Sequence, residues 1–309
     1  MNWLKKGILL FVLLTIASIG IHSWISNEEE TLEKDNLNKT NEYEKENYVP
    51  VQEYTGEGFT LRNANPKTGE IAEANREKLE KAVKDFFLED YKTAVKVHNI
   101  VSAMDGVSVF VESIGEPHFY AFAIVPVDVK NEVVKTDSVW SKEGQVESTI
   151  RSGLYVMAYE EEFAKLDELL EEIEAEYPVV GMNIEVAENT QGNGYNTPYY
   201  FPKTSFKSMY EKYLENPKIT KEELRTYIED EGFIPSEMSR VAIRFHMKES
   251  GVEPDEEVYD EIYNRIESST DIPKARYYLK LNDNNIDRRS AIGEKHNTID
   301  KTDIEAIQR

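Results

Sequence analysis

The chain has 309 residues, with 36 Lys and Arg against 59 Asp and Glu, a formal charge of −23 and no Cys. That charge excludes an autonomous nucleic-acid binder, because phosphate affinity is built from clustered cations. The missing cysteines exclude disulfides, thiolate zinc sites, iron–sulfur clusters, cysteine nucleophiles and cysteine-linked lipid.

Residues 1–26 differ from the rest. Lys5 and Lys6 precede an uncharged run from Gly7 to Ser26 with an aliphatic core at Ile8–Ile16. A helix needs about 20 apolar residues to cross a bilayer, and this run suffices. The small residues at Ala17–Gly20 also suit a signal peptide. Because Ile21, Trp24 and Ile25 continue the apolar character, an uncleaved anchor is favoured over cleavage. Lysines before the run and Glu28–Glu30 after it orient the N-terminus inward and the remainder outside the cell. Residues 27–49 are acidic and poor in apolar side chains, which predicts a flexible stalk.

The body is expected over 50–295, with a sub-boundary near 140 and a polar tail from 296. Ile71–Tyr91 predicts one helix, with Ala72, Leu79, Ala82, Val83 and Phe86 on its apolar stripe. Three strands follow: Val95–Val101, a second through Val107, Val109 and Val111, and Phe119–Val127. Their short connections predict an antiparallel meander. Val133–Val139 adds a fourth. Val146, Ile150, Leu154 and Met157 form one helical stripe, and Phe163, Leu166, Leu170, Ile173 and Tyr177 another, out of phase with it. Val179–Val186 reads as a strand, 188–205 as a polar aromatic loop, and Phe206–Leu214 as a short helix. Thr220 and Glu223 form a capping box, and Gly232 suits the end of the helix between. Val241–Met247 alternates as a strand, Pro254–Asp255 opens a helix through Ile266, and Ala275–Leu281 is a last strand. The class is α+β: an N-terminal helix and meander, then a mostly helical half with a few further strands. A body of this length buries a core alone and is expected to be monomeric.

Three segments, Tyr48–Phe59, Val109–Phe119 and Leu281–Arg289, resemble an uncharacterised family of Gram-positive lipoproteins, over about 48–293. The resemblance implies an envelope location and no activity, cofactor or catalytic residue. This chain departs from the lipoprotein pattern in having no Cys to acylate, so the apolar helix would hold it, or it would be released.

Catalytic motifs fail one by one. There is no Gly-x-Ser-x-Gly elbow, and Gly56-Glu-Gly58 and Gly192-Asn-Gly194 lack the residues of a phosphate loop. His98 and His246 sit in strand patterns and read as structural. His118, at the Gly115–Pro117 turn, is the best functional histidine. The loop Gly192–Phe201 gathers Tyr195, Tyr199 and Tyr200, which could stack on a ligand or fold down as a plug. Asp283, Asn285, Asp287 and Glu294 match positions 1, 3, 5 and 12 of a calcium loop, but Arg288 stands where the turn needs Gly. The bland alternative is an Asn/Asp turn, with no cofactor. These features favour an anchored, extracellular, non-enzymatic domain that binds an envelope protein, peptide or wall component. The alternatives are an extracellular carboxylate-dependent hydrolase on a wall polymer and a cation-dependent structural module.

Overall fold

Asn65 starts the body's first helix. Its carboxamide oxygen accepts the Lys67 N–H at 3.1 Å, and Pro66 sits where a missing N–H costs nothing. The computed structural model describes residues 42–301 and 307–308. The expected anchor at 1–26, and the stalk as far as residue 41, lie outside the described residues. Among the described residues no helix is long and apolar enough to cross a membrane. The chain divides into two compact units, 1–48 and 49–309. In the first, residues 42–47 are helical, and the Tyr43 and Tyr48 rings meet edge to face at 6.4 Å. Strand β1, Tyr48–Pro50, spans the boundary.

The single helix expected over 71–91 is two, α1 (Pro66–Ala74) and α2 (Arg76–Tyr91). Asn75 divides them. Its side-chain amide donates to the Ile71 carbonyl at 2.9 Å, so it competes with the helical ladder. In α2, Leu79, Val83 and Phe87 are fully buried, so Phe87 rather than Phe86 fills the core.

The meander forms as the alternation predicts. Strands β2 (Val95–Ser102), β3 (Gly106–Ser113), β4 (Tyr120–Asp128) and β5 (Val133–Val134) pair in that order, all antiparallel. The fourth strand shrinks to two residues. Val107, Val109 and Val111 oppose Val125, Ala123 and Ala121, and all six are buried. Helices α3 (Gln145–Ala158) and α4 (Glu160–Glu176) follow, as the two stripes require. Gly153 lets α3 approach the meander: a Cβ there would lie 2.4 Å from the His118 carbonyl.

The second half builds its own sheet. Val179–Val186 is a two-residue strand, β6 (Val179–Val180), and a helix, α5 (Ile184–Thr190). The loop expected at 188–205 contains β7 (Tyr200–Thr204). Helix α6 (Ser208–Glu215) leads to α7 (Lys221–Asp230), which starts on the Thr220–Glu223 capping box. Gly232 at φ +78 follows its end, a conformation glycine adopts without penalty. After α8 (Pro235–Met238) comes β8 (Ser239–Met247). Helix α9 (Glu256–Ser268), capped by Asp255, returns the chain to β9 (Arg276–Asn282), parallel to β8. This is a βαβ unit inside an otherwise antiparallel sheet. Both β7 and β6 pair with β8, while β11 (Ile307–Gln308) pairs with β9. Strand β10 (Asn285–Asp287) lies just beyond β9. In the segment expected as tail, Ile299 exchanges hydrogen bonds with Leu281 at 2.9 and 3.1 Å.

One large core joins both sheets through α2, α3, α4 and α9. A smaller cluster holds Val51, Tyr54, Val180, Met182, Val186, Ile286 and Ala291. The fold is α+β.

Candidate functional site

The aromatic loop is folded down. Tyr200 is fully buried and stacks on Phe163, with ring centroids 5.9 Å apart and planes at 16°. Tyr199 packs on Phe245 at 5.6 Å. Tyr195 is half-buried, 6.2 Å from the Tyr200 ring and 5.7 Å from His118. So the structure joins His118 to Tyr195, while Tyr200 belongs to the second sheet and Tyr199 just precedes it. Burial pushes the Tyr195 hydroxyl up to about 12. It also pushes the Asp167 carboxyl up to about 6, against the Tyr200 hydroxyl beside it.

The four residues at calcium-loop spacing turn to separate partners. Asp283 accepts from Lys295 Nζ at 2.8 and 2.9 Å, from Asn297 at 3.1 Å and from the Asn285 N–H at 2.9 Å. Burial works against its charge, but these donors outweigh it and hold the carboxyl below its ordinary range. Asp287 accepts from the Arg289 N–H and the Ser290 hydroxyl. Glu294 pairs with Lys280 at 2.6 Å. The geometry is that of an Asn/Asp turn locked by Lys295.

The feature that best suits binding is on the second sheet. Alternation sends Val241, Ile243 and Phe245 of β8 into the core and leaves Arg240, Ala242 and Arg244 on the other face. In β9, Tyr277, Leu279 and Leu281 are buried, so Arg276, Tyr278 and Lys280 face outward. In β7, Phe201 and Lys203 do the same. Register then assembles rows. Lys203 opposes Arg240, which opposes Arg276. Phe201, Ala242 and Tyr278 form the next row, and Arg244 opposes Lys280 beyond it. Most of these residues line a groove of about 370 Å³.

Electrostatics make this face unusual for a chain of −23. Lys280 is neutralised by Glu294 and by Asp300 at 3.4 Å. Among the described residues, no carboxylate lies within 4.0 Å of Lys203, Arg240, Arg244 or Arg276. Arg244 lies over the Phe201 ring at 5.0 Å, and its Nε is buried without an acceptor. Burial lowers its pKa from the ordinary value. Like charges directly opposed across strands repel. A bound anion relieves that repulsion, and an arginine fork suits carboxylate or phosphate. The signal was in the sequence: the polar face of the β8 pattern is Arg240-x-x-x-Arg244, and that of β9 is Arg276-x-x-x-Lys280.

Fold and site together define an α+β domain with an open, cation-lined sheet face. The chain belongs to the DUF1672 family, described as a protein of unknown function, which it matches over residues 41–309. A crystal structure of a DUF1672 family protein from Staphylococcus aureus subsp. aureus Mu50, at 1.80 Å resolution, has a similar fold. Its TM-score is 0.69 at 21% identity, over 82% of this chain and 96% of that one. No curated protein matches the chain.

Proposed function

We propose that this chain is a membrane-tethered envelope protein whose body stands outside the cell and binds a small organic anion without catalysis. The apolar run at Gly7–Ser26 supports the tether, and the lysines before it and glutamates after it support the orientation. With no Cys to acylate, the tether is peptide rather than lipid.

One observation carries the ligand class: the unpaired cations Lys203, Arg240, Arg244 and Arg276 around the apolar row of Phe201, Ala242 and Tyr278. The cations take a carboxylate or phosphate, and the apolar row takes a flat or apolar body. The overall charge repels long polyanions, so a compact ligand fits better than a wall polymer. A carboxylate-dependent hydrolase of a wall glycan would need two working carboxylates here. The acids that line the groove, Glu294 and Asp300, both turn to Lys280.

The test is calorimetry of the full chain in mild detergent with phenyl phosphate, benzoate and inorganic phosphate as probes. Phenyl phosphate or benzoate should bind more tightly than inorganic phosphate, and Arg240→Ser or Arg244→Ser should weaken binding about tenfold. Equal binding by the variants, or no binding of any probe, overturns the ligand assignment. Protease added to intact protoplasts should digest the body, and protection of the body overturns the topology.

A further inference from the structure

The β2–β3 ladder skips one residue. Val97 opposes Val111, the next pair is Asn99 with Phe110, and His98 is left without a partner. A bulge of this kind re-aims a side chain. Alternation already places His98 on the face of Lys96 and Glu112, and the bulge keeps Asn99 on that face as well, against helix α5. Asn99 ties that helix down by donating to the Asn189 carbonyl at 2.8 Å. Glu188, one residue earlier in α5, then faces the same imidazole.

The imidazole is held between two carboxylates. His98 Nε2 is 2.7 Å from Glu112 Oε2, and Nδ1 is 3.6 Å from Glu188 Oε2. The His98 side chain is only 7% exposed, so water does little to screen them. A neutral imidazole has one donor and one acceptor nitrogen. The 2.7 Å contact assigns the N–H to Nε2, donating to Glu112. In that tautomer the Nδ1 lone pair points toward the Glu188 carboxylate, and the repulsion is relieved by a proton or a metal cation between them. Among the described residues, no Lys or Arg lies within 4.0 Å of Glu188, and its neighbour there is His98 itself. Lys96 reaches Glu112 only at 3.9 Å and is exposed. His118 Nδ1 lies 3.9 Å from the other Glu112 oxygen, and the rings of His118 and Tyr120 meet at 5.3 Å.

We infer that His98 and Glu188 form a binding site for a divalent transition cation, with zinc the best fit, and that Glu112 orients the imidazole. Donor atoms on a tetrahedral zinc with bonds of about 2.0–2.1 Å sit roughly 3.3 Å apart, close to the separation of Nδ1 and the Glu188 oxygen. A carboxylate on the far nitrogen fixes the tautomer and raises the basicity of the ligating one. Each of the three residues offers a ligand atom, and these atoms lie within 4.8 Å of one another. An imidazole with carboxylates suits zinc or manganese better than calcium, which prefers oxygen alone. Waters complete the shell. These residues are separate from the cationic groove, so the inference stands or falls apart from the anion-binding reading.

The experiment is a zinc titration of the full chain in mild detergent, by competition with a chromogenic chelator, with calcium and manganese run alongside. One equivalent should bind, and His98→Gln and Glu188→Gln should each raise the Kd tenfold or more. Glu112→Gln should raise it less, through a loosened ring. Asp283→Asn, at a different loop, should leave it unchanged. Glu188 is partly exposed on a helix, so its variant keeps the fold and decides the matter if His98→Gln does not, with circular dichroism as the check. No zinc bound at about 0.1 mM, tighter binding of calcium than of zinc, or an unchanged Kd in Glu188→Gln overturns the site.

Discussion

The two sheets share a plan, with one face packed on helices, and differ in the treatment of the other. The first sheet's outer face is covered: Phe110 is 4% exposed and meets Phe59 and Phe122, each with ring centroids 5.8 Å apart. Under that cover the Glu112 carboxylate has partners, His98 at 2.7 Å and Lys96 at 3.9 Å. The second sheet's outer face opens to solvent around Arg240 and Lys203, and there water sustains cations that have no carboxylate partner. The contrast teaches that burial favours pairing of charge, with Arg244, whose Nε is buried without an acceptor, the exception that marks the groove.

At one end the second face is sealed as well, and that seal can be broken. Asp283 and Lys295, with side chains 12% and 11% exposed, close it. Lys295→Ala strands the Asp283 carboxylate and should cost about 4 kcal/mol, read from the shift in urea midpoint. A loss under about 1 kcal/mol would mean that this end is as open as the groove.

The next largest effect is acid sensitivity. His246 shares the outer-face parity of Arg244, yet it is 1% exposed under the loop that carries Gly293. Burial pulls its pKa down to about 4. Above the ordinary value near 6.5 neither state holds the extra proton. As pH falls from 6.5 toward 4 only the unfolded chain takes it up, so stability drops by about 3 kcal/mol across that window. Asp167, raised to about 6, works in the opposite direction, contributing stability that is lost as pH rises through its folded value. Urea unfolding from pH 7 to pH 4 should therefore show the two effects largely offsetting, and His246→Gln, left with Asp167 alone, should gain stability as the pH falls. An equal slope in that variant would place the sealed boundary elsewhere.

The smallest effect has the opposite sign. Arg240 stands between Lys203 and Arg276. Arg240→Ser in the ligand-free protein should raise stability by about 0.5 kcal/mol at low salt, and the gain should fade at high salt. A destabilised variant would mean that the cations already have partners.

Much of the fold was legible because local chemistry agreed with it. Val107, Val109 and Val111 alternate and lie in the core, Thr220 and Glu223 cap α7, and Asp255 caps α9. The break at Asn75 was hidden because the apolar stripe runs through it, and only the side-chain bond to Ile71 shows the stop. Strand β7 was read as loop because Pro202 and its polar neighbours resemble one; it is a strand through its pairing with β8. The parallel β8–α9–β9 unit needed no new element, only the recognition that three predicted ones belong together. His118 and Tyr195 were singled out and do meet. His98 read as a strand residue, and it is one; its nearness to Glu112 and Glu188 needed the pairing of β2 with β3 and the packing of α5, which the alternation does not show. The cationic rows needed register between strands far apart in sequence, although each strand's polar face already read as basic.

Asn284 has a consequence for how the molecule is made. Its buried side-chain amide donates to the Gln52 side chain and to the Met247 carbonyl, and its own carbonyl accepts the Val51 N–H. The Tyr54 hydroxyl reaches the Arg288 carbonyl, 234 positions away, and the Thr60 N–H reaches the Arg289 carbonyl. A chain synthesised from its N-terminus must carry the segment from Val51 to Leu61 without these partners until nearly all of the body has followed. The clasp between the two ends therefore cannot close until then, and a chain interrupted before residue 284 has nothing to close it with.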